Sequence, residues 1–256
     1  MTAQDDLSHE TPAWSGDDLM QNPHGMEDKA QRVEAMFTSI ARRYDLNNRL
    51  HSMWQDQIWR ARAVKAAELA GNEDVVDVAC GTGDLSMAFY KAKVRSVVGI
   101  DFTKAMLDLA IIKANNAAMS IDYRQGDAMA LQLEDATADV VSIAFGIRNV
   151  QDPKKAFEEF YRILRPGGRL IVLEFSTPKN ALLHWCNTLY TKRIMPLTAT
   201  IISGDSSGAY KYLPKSVETF AEAKEMAVQI KSVGFAELAQ APQTFGVCTI
   251  TTAVKR

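Results

Sequence analysis

The sequence predicts an α/β domain built on a mostly parallel sheet that ends in an antiparallel strand. Between residues 75 and 175, apolar runs typical of buried strands alternate with helices that have one apolar face, which is the pattern of parallel βαβ units. Two strand-like runs then follow each other near residues 236–240 and 247–254. Because consecutive strands joined by a short turn pair antiparallel, the end of the sheet differs from the rest.

Residues 75–101 are the unit around which the rest of the domain is arranged. An apolar strand that begins at Val75 stops at the turn Gly81-Thr82-Gly83, an amphipathic helix follows, and a second buried strand ends at Asp101. In a βαβ unit, an acid at about this distance from the glycine turn binds the ribose hydroxyls of a nucleotide. The unit therefore predicts an adenosine-containing ligand at the carboxyl ends of the strands.

The residues after the glycine turn favour S-adenosylmethionine over a dinucleotide. The dinucleotide fingerprint needs a third glycine where this sequence has Ser86, and Asp84 stands where a helix N-terminus would otherwise attract phosphate. S-adenosylmethionine has no phosphate, and its cationic groups tolerate carboxylates such as Asp77 and Asp84. A glycine turn after a strand is commonly only a turn, so this prediction depends on the terminal acid and on the motifs downstream.

The composition indicates one soluble domain, because a chain of 256 residues can bury a sizeable core. The cysteines Cys80, Cys186 and Cys248 are odd in number and widely spaced, which argues against a disulfide framework or a zinc site and favours a reducing cytoplasm. The sequence shows neither an apolar run long enough to span a bilayer nor a signal peptide. We therefore expect a cytoplasmic protein that needs no metal.

Residues 1–28 are predicted to be a disordered acidic extension of a folded domain at 29–256. The extension contains seven acidic residues, no Lys or Arg, and no apolar periodicity that could offset the entropy of ordering. A solvated tail is the simpler interpretation, and a regulatory or partner-binding role is the alternative. We expect turnover to be independent of this segment.

The helices predicted within residues 29–70 place arginines close to aromatic residues on the substrate side of the domain. The first helix has an apolar face formed by Val33, Met36, Phe37 and Ile40. The basic and aromatic residues that follow are Arg42, Arg43, Tyr44, Arg49, Trp54, Trp59, Arg60 and Arg62. Such a mixture is compatible with an anionic membrane surface, a nucleic acid or a cap over a ligand, and a plain pair of surface helices is the alternative.

Two later strands end in polar residues at the ligand edge of the sheet. A strand near residues 121–124 leads to Asp127 and Ala128, and the apolar strand 140–145 opens into Arg148 and Asn149. Because the carboxyl ends of parallel strands meet at one edge, these residues are expected beside the ligand.

A further helix and strand complete this part of the sheet. The helix begins after Asp152, has Leu164 on its apolar face and is expected to end at Pro166-Gly167-Gly168. The strand runs over residues 169–175.

Residues 179–215 interrupt the alternation of strands and helices. They contain no convincing strand, yet they are rich in apolar and aromatic residues, unlike a polar linker. The segment either packs on the core or forms a lid that builds an apolar pocket above the ligand. We favour the lid, because lids are commonly inserted at this edge of a sheet.

The chain resembles the ubiquinone/menaquinone biosynthesis C-methyltransferases in the motifs V-V-D-V-A-C-G-T-G-D-L, A-F-G-I-R-N-V-Q-D-P and Y-R-I-L-R-P-G-G-R-L-I-V-L-E-F-S-T-P. The likeness extends to R-Y-D-L-N-N and S-G-D-S-S-G-A-Y-K-Y-L and covers residues 30–256. It implies a class I S-adenosylmethionine-dependent methyltransferase fold, which is Rossmann-like and has a seven-stranded, mostly parallel sheet with an antiparallel last strand.

The resemblance also implies residues that bind the methyl donor. Thr82 and Asp101 would contact the donor, with Asp101 on the ribose, while Asp127 and Ala128 would lie beside the adenine. Gly81 belongs to the turn that the donor needs.

The chain departs from the family pattern at two positions. Ala144 stands where the family often has serine, which puts a side-chain hydrogen bond to the donor in doubt, and Cys80 replaces a frequent glycine.

The reaction that the resemblance implies is C-methylation of a polyprenylated quinol ring. An aromatic carbon is a weak nucleophile unless the neighbouring hydroxyl loses its proton, so the site must favour a phenolate. Arg148 and Asn149 stand where they can do this, and Tyr44 is a candidate to help.

The acceptor and the partners remain open at this point. Demethylmenaquinol is the favoured substrate, and a methoxy-polyprenyl-benzoquinol or another small acceptor is the alternative. A further alternative is a non-catalytic S-adenosylmethionine-binding scaffold of a quinone-synthesis complex. A homodimer and a peripheral position at the inner face of the membrane are considered, whereas a nucleic-acid partner would depend on the arginines alone.

Overall fold

The computed structural model describes residues 13–15, 17–20, 22–203 and 207–256. Its centre is a seven-stranded sheet in the order β3-β2-β1-β4-β5-β7-β6. The strands are β1 (Asp74–Val78), β2 (Ser96–Asp101), β3 (Asp122–Gln125), β4 (Ala138–Ala144), β5 (Leu164–Phe175), β6 (Phe235–Gln243) and β7 (Cys248–Lys255). Strands β1 to β5 pair in parallel, and β7 pairs antiparallel with both β5 and β6. The predicted mostly parallel sheet with an antiparallel end is therefore confirmed.

The α-helices flank this sheet or precede it. They are α1 (Lys29–His51), α2 (Gln55–Ala66), α3 (Asp84–Lys91), α4 (Lys104–Asn116), α5 (Pro153–Ile163), α6 (Ala181–Leu189), α7 (Met195–Ser203), α8 (Ala209–Thr219) and α9 (Ala223–Val233). No helix in the described ranges combines the length and apolar character that crossing a membrane requires.

The two faces of the sheet are covered by different helices because neighbouring strand residues point in opposite directions. Phe157 of α5 and Ile230 of α9 are buried in the cluster that contains Val76, whereas Phe89 of α3 is buried in the cluster that contains Val75. Burying a side chain of this size stabilises the fold by about 1.5–3 kcal/mol. The central strands are thus held rigidly from both sides, and the loops at their carboxyl ends are well positioned.

Two predicted element boundaries are wrong. Helix α2 ends at Ala66, whereas helices are predicted as far as residue 70. Leu164 is the first residue of β5 and not a helix residue, because it pairs with Ala138. The strand pairing shifts register before Arg169, so the turn Pro166-Gly167-Gly168 is an irregularity within the strand.

The predicted disordered extension at 1–28 differs from the structure in its second half. Trp14 is 1% exposed and stacks on Tyr212 with ring centroids 4.4 Å apart, and the Trp14 backbone N–H donates to the Ser207 carbonyl at 3.1 Å. The Arg32 guanidinium contacts Asp18 at 3.0 Å. The packed region therefore reaches back at least to residue 13, because the apolar surface of one tryptophan outweighs the polar composition around it. Residues 1–12 lie outside the described residues.

The insertion at 179–215 is mostly helical in its described part. It contains α6, a π-helical turn at Tyr190–Ile194, α7 and the beginning of α8. Ala199 and Tyr212 pack with Met36 and Ile40 of α1. The insertion thus rests on the first long helix, and its function as a lid stays a prediction.

Candidate active site

A cavity opens at the carboxyl ends of β1, β2 and β4, where the strand order reverses direction along the chain. This is the place at which doubly wound sheets bind ligands. We call it the central cavity, and its lining includes Ala30, Val33, Phe37 and Tyr44 of α1 together with Ala79, Gly81, Asp101, Phe102, Thr103, Asp127, Ala128, Met129, Ala144, Phe145, Gly146, Asn149, Val150 and Gln151. All of the predicted donor-binding residues except Thr82 lie in this lining, as do Tyr44 and Asn149.

Asp101 is held at one end of the central cavity by backbone groups. Its Oδ2 accepts a hydrogen bond from the Gly81 N–H at 2.7 Å, and its Oδ1 accepts one from the Thr103 N–H at 2.8 Å. Burial raises the pKa of this carboxyl, which the backbone N–H groups oppose. Each oxygen keeps a lone pair that can accept a ribose hydroxyl.

Gly81 and Asp127 complete this end. Gly81 has a left-handed φ of +56°, and a Cβ atom there would meet nothing within 4 Å, so the turn leaves open space beside Asp101. Asp127 accepts a hydrogen bond from the Met129 N–H at 2.9 Å, which orients its carboxylate. A carboxylate pair beside an open glycine turn fits the ribose and adenine of S-adenosylmethionine.

The other end of the central cavity follows β4. Phe145 has a left-handed φ of 58°, an uncommon conformation for a bulky residue, and such conformations cluster at functional sites. Gly146 is required next to it, because a Cβ at this position would come within 2.6 Å of the Ala79 Cβ. Ala144 lines the cavity without a hydroxyl, so no side-chain hydrogen bond to the donor arises there.

Asn149 is the polar side chain of this loop that lines the cavity. Its Oδ1 accepts a hydrogen bond from the Tyr212 hydroxyl at 3.0 Å, and its Nδ2 lies 3.4 Å from the Phe145 carbonyl. Tyr44 lines the cavity from α1, and burial raises the pKa of its phenol. Asn149 and Tyr44 therefore line the same cavity, and their catalytic roles stay a prediction.

Arg148 is placed differently from the prediction. It is 5% exposed, does not belong to the cavity lining, and donates through Nη1 to Glu174 Oε1 at 2.7 Å and to the Phe145 carbonyl at 2.6 Å. Its guanidinium also lies 5.2 Å from the centroid of the Phe175 ring. These contacts stabilise the loop after β4, which is the geometry of a positioning residue and gives no support to direct contact with the acceptor.

Thr82 is likewise turned away from the cavity, into a network between α1, α3 and α4. Its Oγ1 donates to Asp45 at 2.6 Å, and Lys113 bridges Asp45 and Asp84 at 2.6 and 2.5 Å. Arg49 donates to Asp84 at 2.9 Å.

The charge of Asp84 is balanced within this network. Burial would raise the pKa of Asp84, but the charges of Lys113, Arg60 and Arg49 outweigh it and lower the pKa to about 2. Asp84 is therefore an ionised partner of basic side chains and is not part of the cavity lining.

Asp77 lies beneath the glycine turn and is also engaged. The hydroxyls of Ser86 and Ser142 donate to it at 2.6 and 2.7 Å. Burial raises its pKa to about 6, against the effect of these two hydrogen bonds. The serine in place of a third glycine thus has a structural function, which is to hold this carboxylate.

The side chains that hold the loop after β4, at the second end of the central cavity, were missed from the sequence. Glu174 could have been found, because it ends a parallel strand beside the one that precedes Arg148. Tyr212 lies in the motif S-G-D-S-S-G-A-Y-K-Y-L, but nothing local in the sequence indicates that it contacts Asn149. Lys113 carried no local signal, since it reaches Asp45 and Asp84 from a helix that is distant in the chain. Among the described residues, no three His, Cys, Asp or Glu side chains are grouped so as to hold a metal ion, and a metal-free reaction stays a prediction.

Comparisons with known proteins show which family of proteins this chain is similar to. A sequence profile described as the ubiE/COQ5 methyltransferase family matches residues 25–255. A protein of Deinococcus radiodurans named demethylmenaquinone methyltransferase is 41% identical over 231 residues, covering 90% of this chain and 95% of that protein. A protein of Geobacter sulfurreducens named ubiquinone/menaquinone biosynthesis C-methyltransferase UbiE is 40% identical, covering 90% of this chain and 91% of that protein.

A solved structure supports the fold independently. The crystal structure of a S-adenosylmethionine-dependent methyltransferase of Thermotoga maritima, described as a possible histamine N-methyltransferase, has a TM-score of 0.61 and 18% identity and covers 87% of this chain and 99% of that one. At this identity the likeness concerns the fold alone. With the profile match over nearly the whole chain, it follows that this chain belongs to the ubiE/COQ5 methyltransferase family.

Proposed function

We propose that this protein transfers a methyl group from S-adenosylmethionine to a ring carbon of demethylmenaquinol. The observation that carries the proposal is the central cavity, which has the Asp101 carboxylate at one end, Asn149 and Tyr44 at the other, and apolar residues of α1 along one side. The name of the Deinococcus relative supports the choice of acceptor.

Different residues of this chain have different functions in the proposed reaction. S-adenosylmethionine, when bound, supplies an electrophilic methyl group on its sulfur. The ring carbon attacks that methyl in line, the sulfur–methyl bond breaks, and the ring loses one proton overall. The Asn149 amide and the Tyr44 hydroxyl are the groups we place beside the ring oxygen, where they would stabilise the developing phenolate.

Arg148 contributes to this step by positioning. Its bonds to Glu174 and to the Phe145 carbonyl hold the loop on which Asn149 lies. A guanidinium stays protonated at all relevant pH values, so it could not remove the proton in any case.

The test is an incubation of the full chain with S-adenosylmethionine labelled in its methyl group and with each quinol in turn, followed by mass analysis. We expect label on the naphthoquinol ring. A methoxy-polyprenyl-benzoquinol is the second candidate, which the name of the Geobacter relative favours, and label on that ring alone would replace our choice. Donor binding without label on any quinol would favour the scaffold.

The acceptor carries a long apolar tail, and we propose that the enzyme meets it at a membrane surface. Met53 and Trp54, in the turn between α1 and α2, are 75% and 55% exposed, and Leu182 and Trp185 of α6 are also exposed. The two regions are joined where the Tyr190 hydroxyl donates to the His51 carbonyl at 3.0 Å.

Basic side chains are exposed on the adjoining segments, since Arg42 and Arg43 lie on α1 and Arg193 lies in the π-helical turn after α6. Apolar residues flanked by cations suit the interface of an anionic bilayer. We expect cosedimentation with phosphatidylglycerol-containing vesicles, reduced in the double variant Met53→Ser, Trp54→Ser and unchanged in Ile112→Ser, whose exposed side chain lies on α4. Equal binding of all three proteins would contradict this surface. The homodimer stays a prediction that gel filtration can test.

A further inference from the structure

Arg60 is a buried cation that the contacts above do not use. It lies in α2, is 7% exposed, and forms no hydrogen bond or ion pair with any residue that the structure describes. Its Nε and Nη1 atoms are buried without a partner. Leaving charged donors unpaired in a protein interior costs several kcal/mol, so such a group indicates a binding partner that is not part of the chain.

The carboxylates of the chain that lie near Arg60 are already engaged. Asp77 accepts from two serine hydroxyls, and Asp84 is bound by Lys113 and Arg49. Arg148, which is also a buried arginine at this edge of the sheet, forms an ion pair with the Glu174 carboxylate. Arg148 leaves only its Nε buried without a partner, whereas Arg60 has no carboxylate partner among the described residues.

The position of Arg60 connects it to the central cavity. Arg60 is not itself part of the cavity lining, but its guanidinium lies 5.2 Å from the centroid of the Phe145 ring, and Phe145 belongs to that lining. Burial raises the pKa of Tyr44, another lining residue, and the charge of Arg60 opposes that rise. A contact of the guanidinium with an aromatic ring leaves its N–H groups available to donate to another partner.

The order of the strands decides which part of the donor reaches Arg60. Asp127 follows β3, Asp101 ends β2, Gly81 follows β1 and Phe145 follows β4, and these strands are neighbours in the sheet in that order. With the adenine at Asp127 and the ribose at Asp101, the amino-acid portion of S-adenosylmethionine must extend past β1 towards β4. That portion carries the only carboxylate of the donor.

We propose that Arg60 binds the carboxylate of the amino-acid portion of S-adenosylmethionine. A guanidinium and a carboxylate match each other in geometry, and the pairing would occur in a site shielded from water. The inference rests on the methyl donor and not on the identity of the quinol, so a wrong acceptor would leave it standing.

The experiment compares two ligands that differ in this one group. Dissociation constants of S-adenosylmethionine and of its decarboxylated analogue are measured by calorimetry, without quinol, for the parent protein, Arg60→Met and Arg60→Lys. We expect Arg60→Met to weaken S-adenosylmethionine binding on the order of 10- to 100-fold and to leave the decarboxylated analogue within about twofold of the parent. Arg60→Lys should lie between them.

The matched control is Arg62→Met, which removes an exposed arginine two residues further along the same helix and should bind both ligands like the parent. An equal loss for both ligands in Arg60→Met would show that Arg60 only supports the fold of the pocket, and no loss would show that it faces something else. Either result overturns the proposal. If neither Arg60 variant folds, as judged by thermal melting, the comparison of the two ligands on the parent protein is the test. A parent that binds S-adenosylmethionine less than about threefold more tightly than the decarboxylated analogue also overturns the proposal.

Discussion

The two ends of the central cavity are built in different ways. At the ribose end, Asp101 and Asp127 are oriented by the backbone N–H groups of Thr103 and Met129, two residues further along the chain, and Asp101 also accepts from the Gly81 N–H, 20 residues away after the neighbouring strand β1. The other end follows β4 and is where we propose that the acceptor binds, so we call it the acceptor end. Here Arg148 is held by Glu174, 26 residues away, and Asn149 by Tyr212, 63 residues away.

This difference shows that donor binding and acceptor binding depend on different levels of structure. Local turns form the ribose end as soon as the strands are in place. The acceptor end requires the packing of β5 and of the inserted helices before any of its side chains is positioned. We therefore expect substitutions at the two ends to change binding and stability in different proportions.

The largest effect should come from breaking the Arg148–Glu174 pair. Glu174→Leu leaves a buried guanidinium without its carboxylate, so the free energy of unfolding in urea should fall by about 3–5 kcal/mol. The double variant Glu174→Leu, Arg148→Met should recover most of this loss, because it removes both charges. Glu158→Leu is the control, since it breaks an exposed contact with Lys154 of 3.9 Å and should cost less than about 1 kcal/mol. A loss in Glu174→Leu no larger than in this control would mean that the acceptor end does not depend on the pair.

Asp77 lies between the two ends, with one serine partner nine residues away and the other 65 residues away. Its pKa is about 6 in the folded protein, where burial raises it from 3.8. The raised pKa favours the protonated form, so the stability that this group contributes is fully present below about pH 4 and is lost as the pH rises through 6. In Asp77→Asn this loss should be absent, and the difference in unfolding free energy between variant and parent should grow by roughly 3 kcal/mol from pH 4 to pH 7.5. Parallel stability profiles would contradict the raised pKa.

Asp101→Asn should separate binding from stability at the ribose end. The amide keeps one oxygen for the local turn but loses the charge that strengthens hydrogen bonds to the ribose, so donor affinity should fall on the order of 10- to 100-fold. Burial raises the pKa of Asp101, so removal of the charge relieves a desolvation cost. This gain offsets the loss of one of the two backbone hydrogen bonds, from Gly81 or Thr103, that the amide nitrogen cannot accept, so the melting temperature should change little. Calorimetry and thermal melting on the same sample check this, and a joint loss of affinity and stability would remove the distinction between the two ends.

Tyr212→Phe should have the smallest effect. It deletes the hydroxyl that donates to Asn149 and keeps the ring that stacks on Trp14. Loss of one neutral hydrogen bond corresponds to about 0.5–1.5 kcal/mol, so turnover should fall roughly threefold to tenfold while donor affinity stays unchanged. Tyr190→Phe removes a comparable bond away from the cavity and should keep full turnover. If both variants behave alike, Asn149 does not need Tyr212 for its position.

The sequence by itself determined the βαβ unit from β1 to β2, the antiparallel end of the sheet and the place of Asp101, Asp127 and Asn149 at one edge. These features follow from short-range rules, since strand and helix periodicity, glycine turns and the common edge of parallel strands are all encoded within a few residues. Only the tertiary structure decided which polar and charged side chains contact each other. It paired Arg148 with Glu174, turned Thr82 and Asp84 towards Lys113 and Asp45, and buried Trp14 against Tyr212. It also left Arg60, beside Phe145, without a hydrogen-bond partner among the residues that the structure describes. The physical reason is that a long side chain has several possible partners, and the choice among them is made by the packing of elements that are far apart in the chain.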